Sequence, residues 1–131
     1  MRFSFTFAMV VVLLAFHAVA EDNRATRLSD ARNAVESNLR TAEGKAFDEE
    51  LGAEFVQNHL ETLRRCKPSS GGDLQNFWIL LKLEKDATAK EVLLYPSARL
   101  GACARESLLA QKFLPAPRPD YWVSVYMKLS Q

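Results

Sequence analysis

The sequence predicts an α+β fold: a three-stranded antiparallel sheet with helices on one face, in the order α-β-β-α-β, preceded by an N-terminal amphipathic helix. Three observations carry this. Phe47, Leu51, Phe55, Val56, Leu60 and Leu63 recur at helical spacing. FWILLKLE (77–84) and YWVSVYMKL (121–129) alternate with a period of two. Between them Leu100, Cys103, Ala104, Ser107 and Leu108 return to helical spacing.

Residues 1–20 stand apart. Arg2 supplies a thin positive start, residues 5–16 an apolar run, and Ala18-Val19-Ala20 a small-residue cleavage signature, the pattern of a secretory signal peptide. The run is shorter than the ~20 residues a spanning helix needs. Polar EDNRATR follows at once, so cleavage before Glu21 is expected, with an uncleaved anchor as the alternative. Cleavage leaves no stable membrane span and places the protein in a periplasm or outside the cell. It also takes Arg2 from the 17 basic residues and none from the 16 acidic ones, so the formal charge falls from +1 to zero. Neutrality argues against a nucleic-acid partner, which calls for a basic stripe; Arg64-Arg65-Cys66-Lys67 is too short a cluster.

Two cysteines remain, Cys66 and Cys103, and a single disulfide between them is the default in an oxidising compartment. Closing a loop of that length stabilises a fold by roughly 4 kcal/mol in the chain-entropy model. A reactive thiol is the weaker alternative, since the sequence has no Cys-x-x-Cys pair.

Residues 21–45 form a helical lead-in, with Leu28, Ala31, Val35 and Leu39 as its thin apolar stripe and Gly44 as its break. The next helix runs over residues 47–66. Asp48-Glu49-Glu50 at its start and Arg64, Arg65 and Lys67 at its end complement its dipole. The acidic triplet does not read as a metal site, because consecutive helical carboxylates fan apart. His59 borders the apolar face as a packed or half-exposed residue, with no second ligand at metal-binding spacing, and no cofactor or metal is expected. Ser69-Ser70-Gly71-Gly72-Asp73 is a loop. Strands at 77–84 and 91–95 make a hairpin stopped by Pro96, and Ser97 is a candidate N-cap for the second helix. Pro115, Pro117 and Pro119 then form a stiff extended connector; a ligand for a proline-recognising domain is the alternative. In the last strand Tyr121, Val123, Val125, Met127 and Leu129 face one way, and Trp122, Ser124, Tyr126 and Lys128 the other.

Short-connection rules place the final strand antiparallel beside the first, on an edge, with both helices on one face and Cys66 near Cys103. From Phe77 to Leu129 the order of elements, with Phe113-Leu114-Pro115-Ala116-Pro117 before a last alternating strand, resembles the C-terminal domain of TonB and its relatives, in the cysteine-containing variant found among exported relatives. The resemblance implies a domain over residues 46–131, a bacterial envelope location and a binding habit in which a peptide strand adds to the exposed final strand. The chain departs from TonB in lacking a proline-rich spacer and a lasting anchor, so force transmission does not carry over.

The functional expectation is a non-catalytic periplasmic or secreted binding module, recognising a peptide or another envelope protein through its last edge strand and aromatic outer face. Tyr121, Trp122, Ser124, Tyr126, Lys128 and Trp78 are its partner-binding residues. Against this stands a cover over Trp122 and Tyr126, supplied by the helix of residues 21–41 or by a second copy in a homodimer through the edge strand. An inhibitor or immunity-type protein of an envelope enzyme would present the same surface. A small exported enzyme is disfavoured, because His59 is the one histidine left after cleavage and Ser107 or Ser124 lacks an evident partner.

Overall fold

A computed structural model describes residues 23–66, 76–96 and 101–128. The expected signal segment, the 69–73 loop, the Ser97 cap, Leu100 and Leu129 lie outside the described residues. The chain divides into two compact units, Met1–Ala31 and Arg32–Gln131. The described part of the first, residues 23–31, is helical. The elements are α1 (residues 23–39), α2 (Ala42–Asn58), α3 (Leu60–Arg64), β1 (Phe77–Leu83), β2 (Ala89–Tyr95), α4 (Gly101–Leu109) and β3 (Tyr121–Met127). Among the described residues no helix is long and apolar enough to cross a membrane.

The sheet is antiparallel throughout with strand order β2-β1-β3, so β3 lies on an edge beside β1 as the connection rules require. Its inner side presents Phe77, Ile79, Leu81 and Leu83 from β1, Val92 and Leu94 from β2, and Tyr121, Val123 and Met127 from β3. Against them pack Leu51 and Phe55 of α2, Leu63 of α3, and Ala104 and Leu108 of α4. Each large side chain fully buried here contributes roughly 1.5–3 kcal/mol. Val56, expected on this face, points to solvent instead. It follows Phe55 by one residue, about 100° around the helix from the core direction.

The first helical boundary falls at Arg40–Thr41 and not at Gly44. Thr41 is extended, and its hydroxyl accepts from the Gly44 N–H at 2.9 Å, capping α2. Gly44 lies in the first turn of α2, where a Cβ would stand 1.7 Å from the Asn38 carbonyl oxygen. Only glycine lets the two helices meet so closely. With α2 starting at Ala42, Glu43 is its first-turn acid and Asp48-Glu49-Glu50 lie further along.

The helix expected over residues 47–66 is two helices. His59 leaves helical geometry at φ −119° and caps α2 through its N–H on the Phe55 carbonyl at 2.9 Å. Its ring turns inward and is held there. Nε2 meets Glu54 Oε1 at 2.8 Å, Nδ1 meets Gln111 Oε1, and the ring lies between Phe55 and Phe113, 4.4 Å from the latter's centroid. At 3 % exposure it is packed, as one of its two expected states.

Beyond α3, Cys66 bonds Cys103 of α4 across a Cα–Cα distance of 5.7 Å, joining the two helical ends as topology suggested. The proline-rich connector lies along the hairpin. Phe113 N–H donates to Ala87 O at 2.8 Å and Ala116 N–H to Glu84 O at 3.1 Å, while the intervening Pro115 has no N–H to offer. Phe113 and Ala116 are thereby buried, and the connector sets the entry of β3.

Candidate functional site on the outer sheet face

Register sorts the outer side chains into three rows running across the strands. Tyr95, Trp78 and Tyr126 form the first, Leu93, Leu80 and Ser124 the second, and Glu91, Lys82 and Trp122 the third. Chemistry changes from row to row. The first is aromatic and open, its members 43 %, 43 % and 49 % exposed, with the Trp78 and Tyr126 rings 4.8 Å apart. The third is polar: Lys82 stands 3.8 Å from Glu91 and 3.9 Å from Asp120, and its ammonium lies 5.5 Å from the Trp122 ring centroid. Lys90 hydrogen-bonds Asp120 at 3.3 Å, and this, with the nearby positive charge, holds that exposed carboxyl below the usual range.

The middle row needs a cover, and the second half of α1 supplies it. Leu80 is only 2 % exposed although it faces outward. Val35 and Leu39 lie above it on residues 32–39, so α2 and α4 occupy one face while this helical segment occupies part of the other. The fit is incomplete. A groove of about 250 Å³ remains, lined by Arg32, Val35, Glu36 and Leu39 on the helix side and by Trp78, Leu80, Tyr95 and Ser124 on the sheet side. Arg32 reaches over the Tyr95 ring at 5.4 Å.

The edges are also partly closed. Glu84 bonds the hairpin turn and the connector, so the β1–β3 ladder ends on Leu83 and Tyr121, which leaves the backbone groups of Trp122, Ser124 and Tyr126 on the unpaired side of β3. Asn38 Nδ2 donates to the Trp122 carbonyl at 3.0 Å, and Arg118 donates to Asn38 Oδ1 at 2.7 Å. On β2 the equivalent carbonyl, Val92 O, accepts from Arg105 Nε at 3.3 Å. Each edge thus carries a side chain on an outward carbonyl, a known way of discouraging unwanted pairing.

The six residues expected to bind a partner separate accordingly. Trp78, Ser124 and Tyr126 come together at the groove and the open row. Trp122 is half-buried among Lys82 and the end of α1. Lys128 is exposed just past β3. Tyr121 faces the core at 3 % exposure, edge-on to Phe47 with ring centroids 5.4 Å apart, so it offers this face no side chain. Burial, opposed in part by Arg118, pushes its hydroxyl pKa up. Tyr95, Leu80 and Arg32 were missed from the sequence. Tyr95 left no signal there: continuing the Leu83–Ala89 pairing regularly would set it opposite Phe77, and only the register shift between Lys82 and Leu83 brings it opposite Trp78.

No family model, curated protein or solved structure compared with the chain matches it.

Proposed function

We propose that the protein is a non-catalytic binding module of a periplasm or extracellular space, which takes an extended peptide or protein segment on its outer sheet face. The observation that carries this is the row Tyr95, Trp78 and Tyr126, which stays open beside an apolar groove while the rest of the face is covered or ion-paired. Tyrosine and tryptophan combine a large apolar contact with a polar tip, which suits a surface that must be wet alone and dry in complex. Ser124 borders the groove and carries backbone groups on the unpaired side of β3, so a segment added there could pair its main chain and send alternate side chains toward the groove. Strand addition is also the habit implied by the resemblance to the TonB C-terminal domain. The disulfide agrees with an oxidising compartment.

The burial of His59 supports the non-catalytic reading, because both ring nitrogens are engaged by Glu54 and Gln111 inside the packed helical layer. The test is an NMR titration of the oxidised protein with a library of extended peptides. Shifts should concentrate at Trp78, Tyr95, Ser124 and Tyr126 and vanish in Tyr126→Lys. Shifts confined to the helical face would contradict the proposal.

A further inference from the structure

We infer that residues 32–39 are a latched cover, which opens as a unit while the sheet and the inner helices stay folded, and so controls access to the outer face. The apolar attachment is small. Among the described residues the main buried cluster draws on α2, α3, α4 and the inner side of the strands, and it includes neither Val35, Leu39 nor Leu80. Segments with few buried apolar contacts open at lower free energy than the core. Beside the cover, the groove of about 250 Å³ shows that the helix does not fill the space above Leu80.

Of residues 32–39 only Val35 is buried, and the remaining fastenings of the segment are polar and close to solvent. Asn38 is the latch: its Nδ2 binds the Trp122 carbonyl and its Oδ1 receives Arg118, so one amide side chain ties the helix to the edge of β3. Arg32 over Tyr95 is a second fastening, between exposed partners. The pivot is Thr41, whose extended backbone separates the two helices. Its hydroxyl accepts from the Gly44 N–H and itself donates to the Asn38 carbonyl at 2.9 Å, so a swing of the preceding segment gives up the bond to Asn38 and can keep the cap on α2.

Opening has two consequences. Leu80 joins the aromatic row as apolar surface, and the Trp122 carbonyl is released, so the outward groups of Trp122, Ser124 and Tyr126 become one continuous edge. Asn38 therefore holds the acceptor that an added strand would use. This regulatory role rests on the proposed binding function, but the opening itself is measurable without a partner.

The experiment is native-state hydrogen exchange, followed by NMR, on the intact oxidised chain. Once detached from the sheet these last turns are too short to hold their own hydrogen bonds in water, so the amides of residues 35–39 should share one opening equilibrium, reached well before that of Ile79 and Leu81. Arg118→Ala, which leaves the helix sequence untouched, should make this opening about tenfold more frequent, the change expected from one lost hydrogen bond, without altering exchange at Leu81. Asn38→Ala should do the same. Exchange of residues 35–39 only together with Leu81 would overturn the inference, as would graded fraying from Leu39 or a uniform effect of Arg118→Ala on all amides. A cover that opens on a surface that binds no peptide would sink the binding proposal alone. Peptide binding on a cover that never opens separately would sink this inference alone.

Discussion

The rings of Trp78 and Tyr126 lie 4.8 Å apart on directly paired residues of β1 and β3, and each leaves more than two-fifths of its surface in solvent. A cross-strand aromatic pair contributes a few tenths to about 1 kcal/mol to a sheet, less than its area would return if a cover removed it from water. The neighbouring Leu80 is covered and this pair is not. The contrast marks the Trp78–Tyr126 pair as aromatic surface that the fold leaves in water, which is why the proposed binding function rests on it.

Stability should respond accordingly. Tyr126→Ser is expected to cost no more than about 1 kcal/mol. Leu81→Ala, at a fully buried position on the inner side of the same sheet, should cost about 2–5 kcal/mol. Denaturant unfolding of the two variants checks the difference, and equal losses would mean that the outer pair is structural.

Two glycines in α2 should behave oppositely. Gly44→Ala forces a methyl onto the Asn38 carbonyl, which backbone must yield to accommodate, so destabilisation of at least 1–3 kcal/mol is expected, roughly the cost of overpacking. Gly52 has nothing within 4 Å of an added Cβ. Gly52→Ala should therefore stabilise the protein by up to about 1 kcal/mol through helix propensity. Thermal unfolding of both variants reads the two signs.

The disulfide closes a separation of 37 residues, for which the chain-entropy estimate is about 4 kcal/mol. Cys66→Ser with Cys103→Ser should lower stability by that order, and thiol titration of the denatured, unreduced wild type should find no free thiol among these two. A stability loss near zero would place the fold's integrity in the apolar core alone.

Two carboxylates should pull the pH dependence in opposite directions. Hydrogen bonds from the Thr88 hydroxyl and N–H hold Asp86 below the usual range. Its contribution is present above the unfolded carboxylate pKa and is lost as pH falls through the lower folded value, so Asp86→Ala should weaken the protein at neutral pH and converge with wild type in strong acid. Burial, followed by the charge of Glu49, raises Asp48. There the protonated form is favoured on folding, a contribution complete below the unfolded pKa and lost as pH rises through the folded one. Asp48→Asn should thus gain stability at neutral pH, with the gain fading in acid. Unfolding curves recorded across this range check both signs.

Much of this architecture was legible because it follows from periodicity and short connections. The alternation of FWILLKL and YWVSVYM set the inner and outer faces, and one crossover helix left β3 on the edge beside β1. The breaks were less visible. At Gly44 the glycine marks a close approach by Asn38 from the preceding helix, a tertiary fact that composition cannot distinguish from a helix stop. At His59 the interruption depends on Glu54 nearby and on Gln111 across the fold, neither of which leaves a periodic trace. The site was half legible for the same reason. Trp78 and Tyr126 follow from strand phase alone, whereas the burial of Leu80 and the fastening of Trp122 depend on where residues 32–39 dock.

The most direct test of the proposed binding function is affinity capture from an extract of the source organism, with the chain beside its Tyr126→Lys variant, both verified as folded and oxidised. The account predicts a partner retained by the wild type and lost by the variant, because a lysine at the open row removes an aromatic contact and introduces a charge that must be desolvated. Retention of the same partner by both proteins would contradict it, since the open aromatic row would then not be the surface that binds.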